Sequence, residues 1–286
     1  MKKIVLSLFT LMLVFSACKK DNNSATPGNT GTNPDDNTNV PKEIVVPEKN
    51  IALINKVTGS LCPPCGSWGW TTFDELMTRN GKNAIYMGTY SDNFVAKLFI
   101  TQAAEDMENA WGVTGFPTFA ANGIAQLDRA TGGINVQGEI NKVNAVVDAH
   151  LAGDVYVNSG FRTTIKDDVM TIETKTKFFK EVGGDVYLAV YLMEDKVIGY
   201  QSGHADGANT SHHHVLRGAA QLDGSAKAES WGYKIGTGTT TAGTTLDNKF
   251  TIDVKDYNKD NLEVAVVVWR KIGVRYQFLN AYGTRN

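Results

Sequence analysis

The stretch Ile51-Ala52-Leu53-Ile54-Asn55-Lys56-Val57-Thr58-Gly59-Ser60-Leu61-Cys62-Pro63-Pro64-Cys65 decides how the chain is read. Ile51 to Val57 is largely apolar and rich in β-branched residues, which predicts a buried strand. Thr58-Gly59-Ser60 turns the chain, and Cys62 to Cys65 then opens a helix. The placement has a chemical logic. The first thiol stands at a helix N-terminus, where unpaired N–H groups and the macrodipole stabilise a thiolate. The second lies one turn on and can attack a mixed disulfide. Pro63 suits a first-turn position, where its missing N–H would have no partner. Pro64 removes a further donor and stiffens the loop. A CxxC pair is also half of a zinc site, but zinc usually takes four ligands and the chain has no second CxxC. His150 is the one histidine between residues 49 and 153.

Beyond the motif, Gly66 and Gly69 each cost about 1 kcal/mol relative to alanine inside a helix. Thr72 with Glu75 forms a capping box, which predicts a fresh helix from Thr72 to Arg79, stopped by Asn80-Gly81. Trp68 and Trp70 flank the motif, either lining the approach to Cys62 or capping the core. Ala84 to Tyr90 reads as the next strand. Phe94, Val95, Leu98 and Phe99 have helical spacing, as do Ala103, Met107, Ala110 and Trp111. Gly112-Val113-Thr114-Gly115-Phe116-Pro117-Thr118-Phe119 follows. This segment, with the CxxC, resembles thioredoxin-like proteins, in which such a stretch ends in a cis-proline beside the two cysteines. The resemblance implies that Pro117 is that proline and that the backbone of Phe116 pairs with a bound peptide. Ile124 to Leu127 is then an edge strand, and Ile134 to Leu151 holds a closing amphipathic helix. One residue departs from the pattern. Thioredoxins carry a buried carboxylate six positions before the first cysteine, and here that position is Lys56. Either it is a buried cation that favours thiolates, or it points to solvent from an edge strand.

From Asp154 onward the apolar period changes to two. Strands are expected at Val155 to Phe161, Val169 to Phe179 after an Asp167-Asp168 turn, Val186 to Leu192, Lys196 to Gln201 and Val215 to Ala219. Phe250 to Val254, Leu262 to Trp269 and Arg275 to Ala281 complete the set. Short strands with Gly- and Asn-rich turns predict a β-sandwich of immunoglobulin-like type, and Gly236 to Thr245 is read as a surface loop. His212-His213-His214-Val215-Leu216-Arg217 is distinctive. His212 and His214 would share a strand face, and with His204 would bring three imidazoles together. No carboxylate is placed by the sequence to orient them, so polar residues entering a strand are the plainer reading, with no metal. Taken with Cys62, Cys65 and Pro117, the segment His214-Val215-Leu216-Arg217 and the later Leu279-Asn280-Ala281 resemble the 28-kilodalton outer-membrane-protein family of lipoproteins in Bacteroides-type bacteria.

At the other end, Lys2-Lys3 precedes an apolar run from Ile4 to Phe15, too short to span a bilayer. Ser16-Ala17-Cys18 follows, and the whole resembles a lipoprotein signal in which Cys18 is lipidated. Asp21 to Val40 has no large apolar residue before its end, which predicts a disordered tether. The expected organisation is a signal peptide at 1–17, a lipidated cysteine and tether at 18–48, an α/β thioredoxin-like domain at 49–153 and an all-β sandwich at 154–286. The chain has 286 residues, 28 Lys+Arg against 30 Asp+Glu and a net charge of −2, so it lacks the basic excess with which proteins neutralise nucleic-acid phosphates. Two functions are carried forward. In one, Cys62 attacks and Cys65 resolves disulfides of exported client proteins, with Phe116, Pro117 and Trp68 as the peptide-binding edge and no cofactor. In the other, the cysteines form a static staple in the scaffold of an outer-membrane binding or adhesion lipoprotein.

Overall fold

The computed structural model describes residues 43–90, 99–126, 129–130 and 133–286. The signal peptide, Cys18, the tether as far as residue 42 and the helical spacing at Phe94, Val95 and Leu98 lie outside them; residues 43–48, expected as tether, lie against the body instead, with Glu43 paired to Lys175 at 3.1 Å and Pro47 O accepting from Asn158 Nδ2 at 3.0 Å. The first part of the chain runs β1 (Ala52–Thr58), α1 (Pro63–Gly66), α2 (Trp68–Asn80), β2 (Ala84–Tyr90), α3 (Gln102–Ala110), β3 (Thr118–Ala121), β4 (Ile124–Gln126), β5 (Arg129–Ala130), β6 (Gly133–Ile134) and α4 (Val136–Leu151). The remainder is β-rich. Its long strands are β7 (Val157–Lys166), β8 (Val169–Phe178), β10 (Asp185–Glu194), β17 (Thr245–Asp253), β18 (Leu262–Ile272) and β19 (Arg275–Gly283). Between them come β9 (Val182–Gly183), β11 (Val197–Gly199), β12 (Thr210–His212), β13 (Val215–Ala219), β14 (Gln221–Leu222), β15 (Tyr233–Gly236) and β16 (Thr239–Thr240).

Two sheets face each other in the β-rich part. One has the order β14-β17-β8-β7; in the other, β19, β18, β10 and β13 are neighbours, with β15 also on β10. β8 alternates buried side chains with partly buried or exposed ones along its length, as a strand with one face on a core must. β18 is buried on both faces from Glu263 to Trp269, because its valine-rich run packs against the opposing sheet on one side and against Tyr191, Met107 and their neighbours on the other. The turn between β7 and β8 uses Asp167 and Asp168 at φ 49° and 62°, the pairing that a right-twisted two-residue hairpin requires.

The sheet does not stop at β13. β13 pairs in parallel with β2 at Val215 and Gly88, and Gly88 N donates to His214 O at 2.7 Å. β2 pairs in parallel with β1, and β3 and β4 continue antiparallel. One core correspondingly mixes Ile51, Leu53, Met87 and Met107 with Tyr191, Leu216, Trp269 and Ala281. Residues on both sides of position 154 therefore share a sheet and a core, and 43–286 form one compact unit. Asn280, in the middle of the Leu279-Asn280-Ala281 segment, ties the edge down. Its Oδ1 accepts from Ile51 N at 2.9 Å, and its Nδ2 donates to Lys49 O at 3.0 Å and Val157 O at 2.9 Å.

Three local expectations are corrected. α2 begins at Trp68, not Thr72; Thr72 lies inside the helix and its hydroxyl donates to Trp68 O at 2.8 Å instead of capping. The helix breaks at Ser67, whose φ −97° and ψ −103° separate α1 from α2. The loop expected over Gly236 to Thr245 contains β16 and the first residue of β17, and β15 was not expected at all. His212 and His214 do not share a strand face: β12 ends at His212, and His214 sits at φ 53° before β13.

Candidate functional site

Cys62 and Cys65 are joined as a disulfide with their Cα atoms 5.3 Å apart. Cys62 is the N-cap of α1, and its Sγ accepts from Cys65 N at 3.3 Å. Both proline rings are exposed, Cys65 is buried, and Cys62 is only 5% exposed. The Phe116–Pro117 peptide is cis, as the resemblance implied, and Pro117 packs against Gly69 at the start of α2. Trp68 lies against the core formed by α2, α4 and the first sheet strands. Trp70, not Trp68, lies against Lys56 and His204.

What the sequence did not announce is a clasp over the motif. The connection from β11 to β12 folds onto the CPPC turn. Gln201 Nε2 donates to Gly59 O and to Cys62 O, each at 3.2 Å, and Ser202 N donates to Ser60 O at 2.7 Å. Contact is too close for side chains. A Cβ on Gly66 would stand 2.1 Å from Ser202 O, and one on Gly203, at φ +80°, would stand 2.1 Å from Pro63 O. The glycine that weakens the helix at position 66 is thus the one the clasp requires.

Beneath α2 lies a second group of residues. Lys56 is 3% exposed, so the buried alternative holds. Its Nζ lies 4.3 Å from the centroid of the Trp70 ring and 5.7 Å from that of Phe73, close enough for cation–π attraction. Burial pushes the Lys56 ammonium down to about 7, against the pull of Asp74. Burial likewise raises the Asp74 carboxyl, while Lys56, His213 and His204 oppose the shift. His204 stacks obliquely on Trp70, with ring centroids 4.6 Å apart.

The three consecutive histidines take three different partners. His212 is fully buried, its Nδ1 lies 2.5 Å from the Tyr90 hydroxyl, and burial lowers its pKa to about 4. His213 Nδ1 lies 2.8 Å from Asp195 Oδ1, and that hydrogen bond raises the His213 pKa. His214 Nδ1 lies 2.6 Å from Glu263 Oε2. Burial works against ionisation of Asp195, but hydrogen bonds from His213 and Arg285 outweigh it and hold the carboxyl well below the usual range. Carboxylates therefore do orient His213 and His214. They come from β18 and the turn after β10, and no local spacing signals them. Among the described residues, no group of three or more His, Cys, Asp or Glu is placed to hold a metal ion. Arg217, the last residue of the His-Val-Leu-Arg segment, is bonded to Glu194 at 2.6 Å and lies over the Phe99 and Tyr257 rings.

No family model matches the chain, and no curated protein does. Among solved structures it is similar to HBP35 of Porphyromonas gingivalis, with a TM-score of 0.63 and 15% identity over 83% of this chain and 75% of that one. Likeness at that identity speaks for fold alone. The GAE domain of GGA2p from Saccharomyces cerevisiae has a TM-score of 0.25 and 8% identity over 48% of this chain and 94% of that one. The E. coli curli protein CsgC has a TM-score of 0.21 and 12% identity over 45% of this chain and 97% of that one. Neither of these two bears on the reading. The chain's architecture is a mostly β-sheet body with a sandwich, shared in outline with the Porphyromonas protein.

Proposed function

We propose that the chain is an extracytoplasmic lipoprotein, anchored through Cys18, whose Cys62–Cys65 pair exchanges disulfides with exported proteins from a thioredoxin-like half. The observation that carries this reading is a disulfide closed across the first turn of a helix, with the cis-proline Pro117 packed on Gly69 just beyond that turn. In the reducing direction, the Cys62 thiolate attacks one sulfur of a client disulfide. An S–S bond forms between Cys62 and the client, and the client's other sulfur leaves as a thiolate. Cys65, deprotonated, then attacks Cys62 Sγ, which regenerates the Cys62–Cys65 disulfide and releases the second client sulfur. Two electrons pass to the client, and the two protons lost by the cysteines end on the client thiols. The oxidising direction reverses each step. Lys56 takes the place of the carboxylate that thioredoxin-like proteins bury before the first cysteine. Half-protonated near neutral pH, it is the group suited to exchange the resolving thiol's proton. The oxidising compartment outside the cytoplasm fits a disulfide.

The experiment is a trap. A Cys65→Ser variant should accumulate mixed disulfides with envelope proteins, seen as high-mass bands on a non-reducing gel, and Cys62→Ser should accumulate none. A specific observation favours the second reading, a static staple in a binding lipoprotein: the clasp leaves Cys62 almost no exposure. If neither variant traps a partner and the reduced pair alkylates no faster than a free thiol, the staple reading stands and the exchange reading falls.

A further inference from the structure

Helix α2 has the CPPC turn at one end. At its other end, roughly 20 Å along the helix, lies a cavity of about 420 Å³. Close-packed interiors carry few voids larger than a water molecule, and this one falls in the range of small-molecule sites. Its walls include Met77 from α2, Ile85 and Tyr86 from β2 and Met193 from β10. The Tyr86 hydroxyl donates to Gly81 O at 2.9 Å, so this residue offers the cavity its ring. Two thioethers and a phenol ring favour an aromatic guest, because methionine sulfur packs well at ring edges and rings pair edge to face.

The polar lining sets the rest of the guest's chemistry. His214 is 5% exposed, and its Nδ1 lies 2.6 Å from Glu263 Oε2. A carboxylate oxygen only accepts, so Nδ1 is the donor, and the neutral imidazole that keeps its proton there has an acceptor at Nε2. Nε2 has no partner among the described residues and is not sealed from solvent. Asn286 Oδ1, on the same lining, is a buried acceptor that is likewise unpartnered. The charges, by contrast, are matched. Arg285 pairs with Glu263 and reaches Asp195 Oδ2 at 2.7 Å, and Lys82, the remaining cation, is exposed. The cavity therefore presents apolar walls, no free buried charge and two acceptors without donors. Buried acceptors left without donors are destabilising, and a neutral guest that donates a hydrogen bond removes that penalty.

We propose that this cavity binds a small neutral aromatic molecule carrying an N–H or O–H donor, with its ring among Met77, Tyr86 and Met193 and its donor at His214 Nε2. The proposal does not rest on disulfide exchange, since neither cysteine lines the cavity.

Indole and benzofuran test it on the full chain labelled with carbon-13 at its methionine methyls. The two share a shape, but indole donates through its N–H and benzofuran has only an oxygen acceptor. Indole should shift the Met77 and Met193 signals saturably and leave in place those of Met87 and Met107, which are fully buried elsewhere in the core. It should bind about fivefold tighter than benzofuran or better, the gain expected of one hydrogen bond in place of two facing acceptors. His214→Asn puts a residue that tolerates the φ of 53° at this position and removes Nε2, so it should bring the preference below about twofold. The proposal is overturned if indole leaves Met77 and Met193 unshifted, if the shifts fall on Met87 or Met107, or if benzofuran binds as tightly as indole. These three outcomes are read on the unaltered chain, so they decide the matter even where the variant does not fold. A folded His214→Asn that keeps the full preference overturns the proposal equally.

Discussion

Lys56 is a cation that the fold holds at a cost, and the cost has a pH signature. Its pKa in the folded chain is about 7, against 10.5 when exposed. Between those values the unfolded chain binds a proton that the native chain does not, so stability rises with pH across that window. Below about pH 7 both states are protonated, and the full penalty, roughly 5 kcal/mol, is present. We expect Lys56→Met to raise the denaturant midpoint more at pH 6 than at pH 10, and to flatten the profile between them. Equal gains at both pH values would mean that Lys56 finds a compensating anion when charged. The same variant separates structure from chemistry, because a lysine that serves the resolving thiol should shift the pH profile of exchange when it is lost. Residues of this kind mark where the sequence stopped being legible. Cys62, Cys65 and Pro117 could be read from local motifs. Burial of Lys56 could not, since it depends on β2, β3 and α2 closing around β1. Asp195 and Glu263, 18 and 49 residues from the histidines they orient, carry no local signal.

Among the elements, the clasp is the one most able to control the cysteines. It rests on two glycines, two bonds from the Gln201 amide and one from the Ser202 N–H. Gly203→Ala meets two obstacles at once, a positive φ and the Pro63 carbonyl, so the loop must lift rather than adjust. We expect the variant to be reduced by dithiothreitol at least several-fold faster at Cys62–Cys65, while the far-ultraviolet circular dichroism stays unchanged. An unaltered rate would show that the clasp does not gate the disulfide, and access would then lie on the Pro117 side. Elements were legible in proportion to their regularity. β18 and β10 declare themselves by valine-rich runs, and the Asp167-Asp168 turn by its residue types. The Thr72 capping box misled because its spacing also occurs inside helices, where a threonine bonds back to the fourth preceding carbonyl. β15 escaped notice because Tyr233-Lys234-Ile235-Gly236 is short and lies among glycine- and threonine-rich stretches.

For the molecule as a whole, the parallel contact between β2 and β13 makes one body of two sequence patterns. A change of apolar period at Asp154 marks a change of architecture, but it says nothing about whether the two parts bury surface against each other. They do: Ile51, Leu53, Met87 and Met107 share their core with Tyr191, Leu216 and Trp269. Asn280 also bonds backbone groups on both sides of the join. Cutting the chain at residue 153 would expose that apolar surface and leave Ile51 N without its acceptor. Each buried large side chain brought back to water costs about 1.5–3 kcal/mol, and several such side chains together match the whole stability of an ordinary domain. We therefore expect residues 43–153 alone to lack a cooperative urea transition and a near-ultraviolet circular dichroism signal. Residues 43–286 should unfold in one step, with tryptophan fluorescence and far-ultraviolet ellipticity falling together. A fragment that folds by itself, or two separated transitions in the longer chain, would mean that the shared core contributes little. The clasp on Cys62 would then be a contact between independent bodies rather than a fixed part of the site.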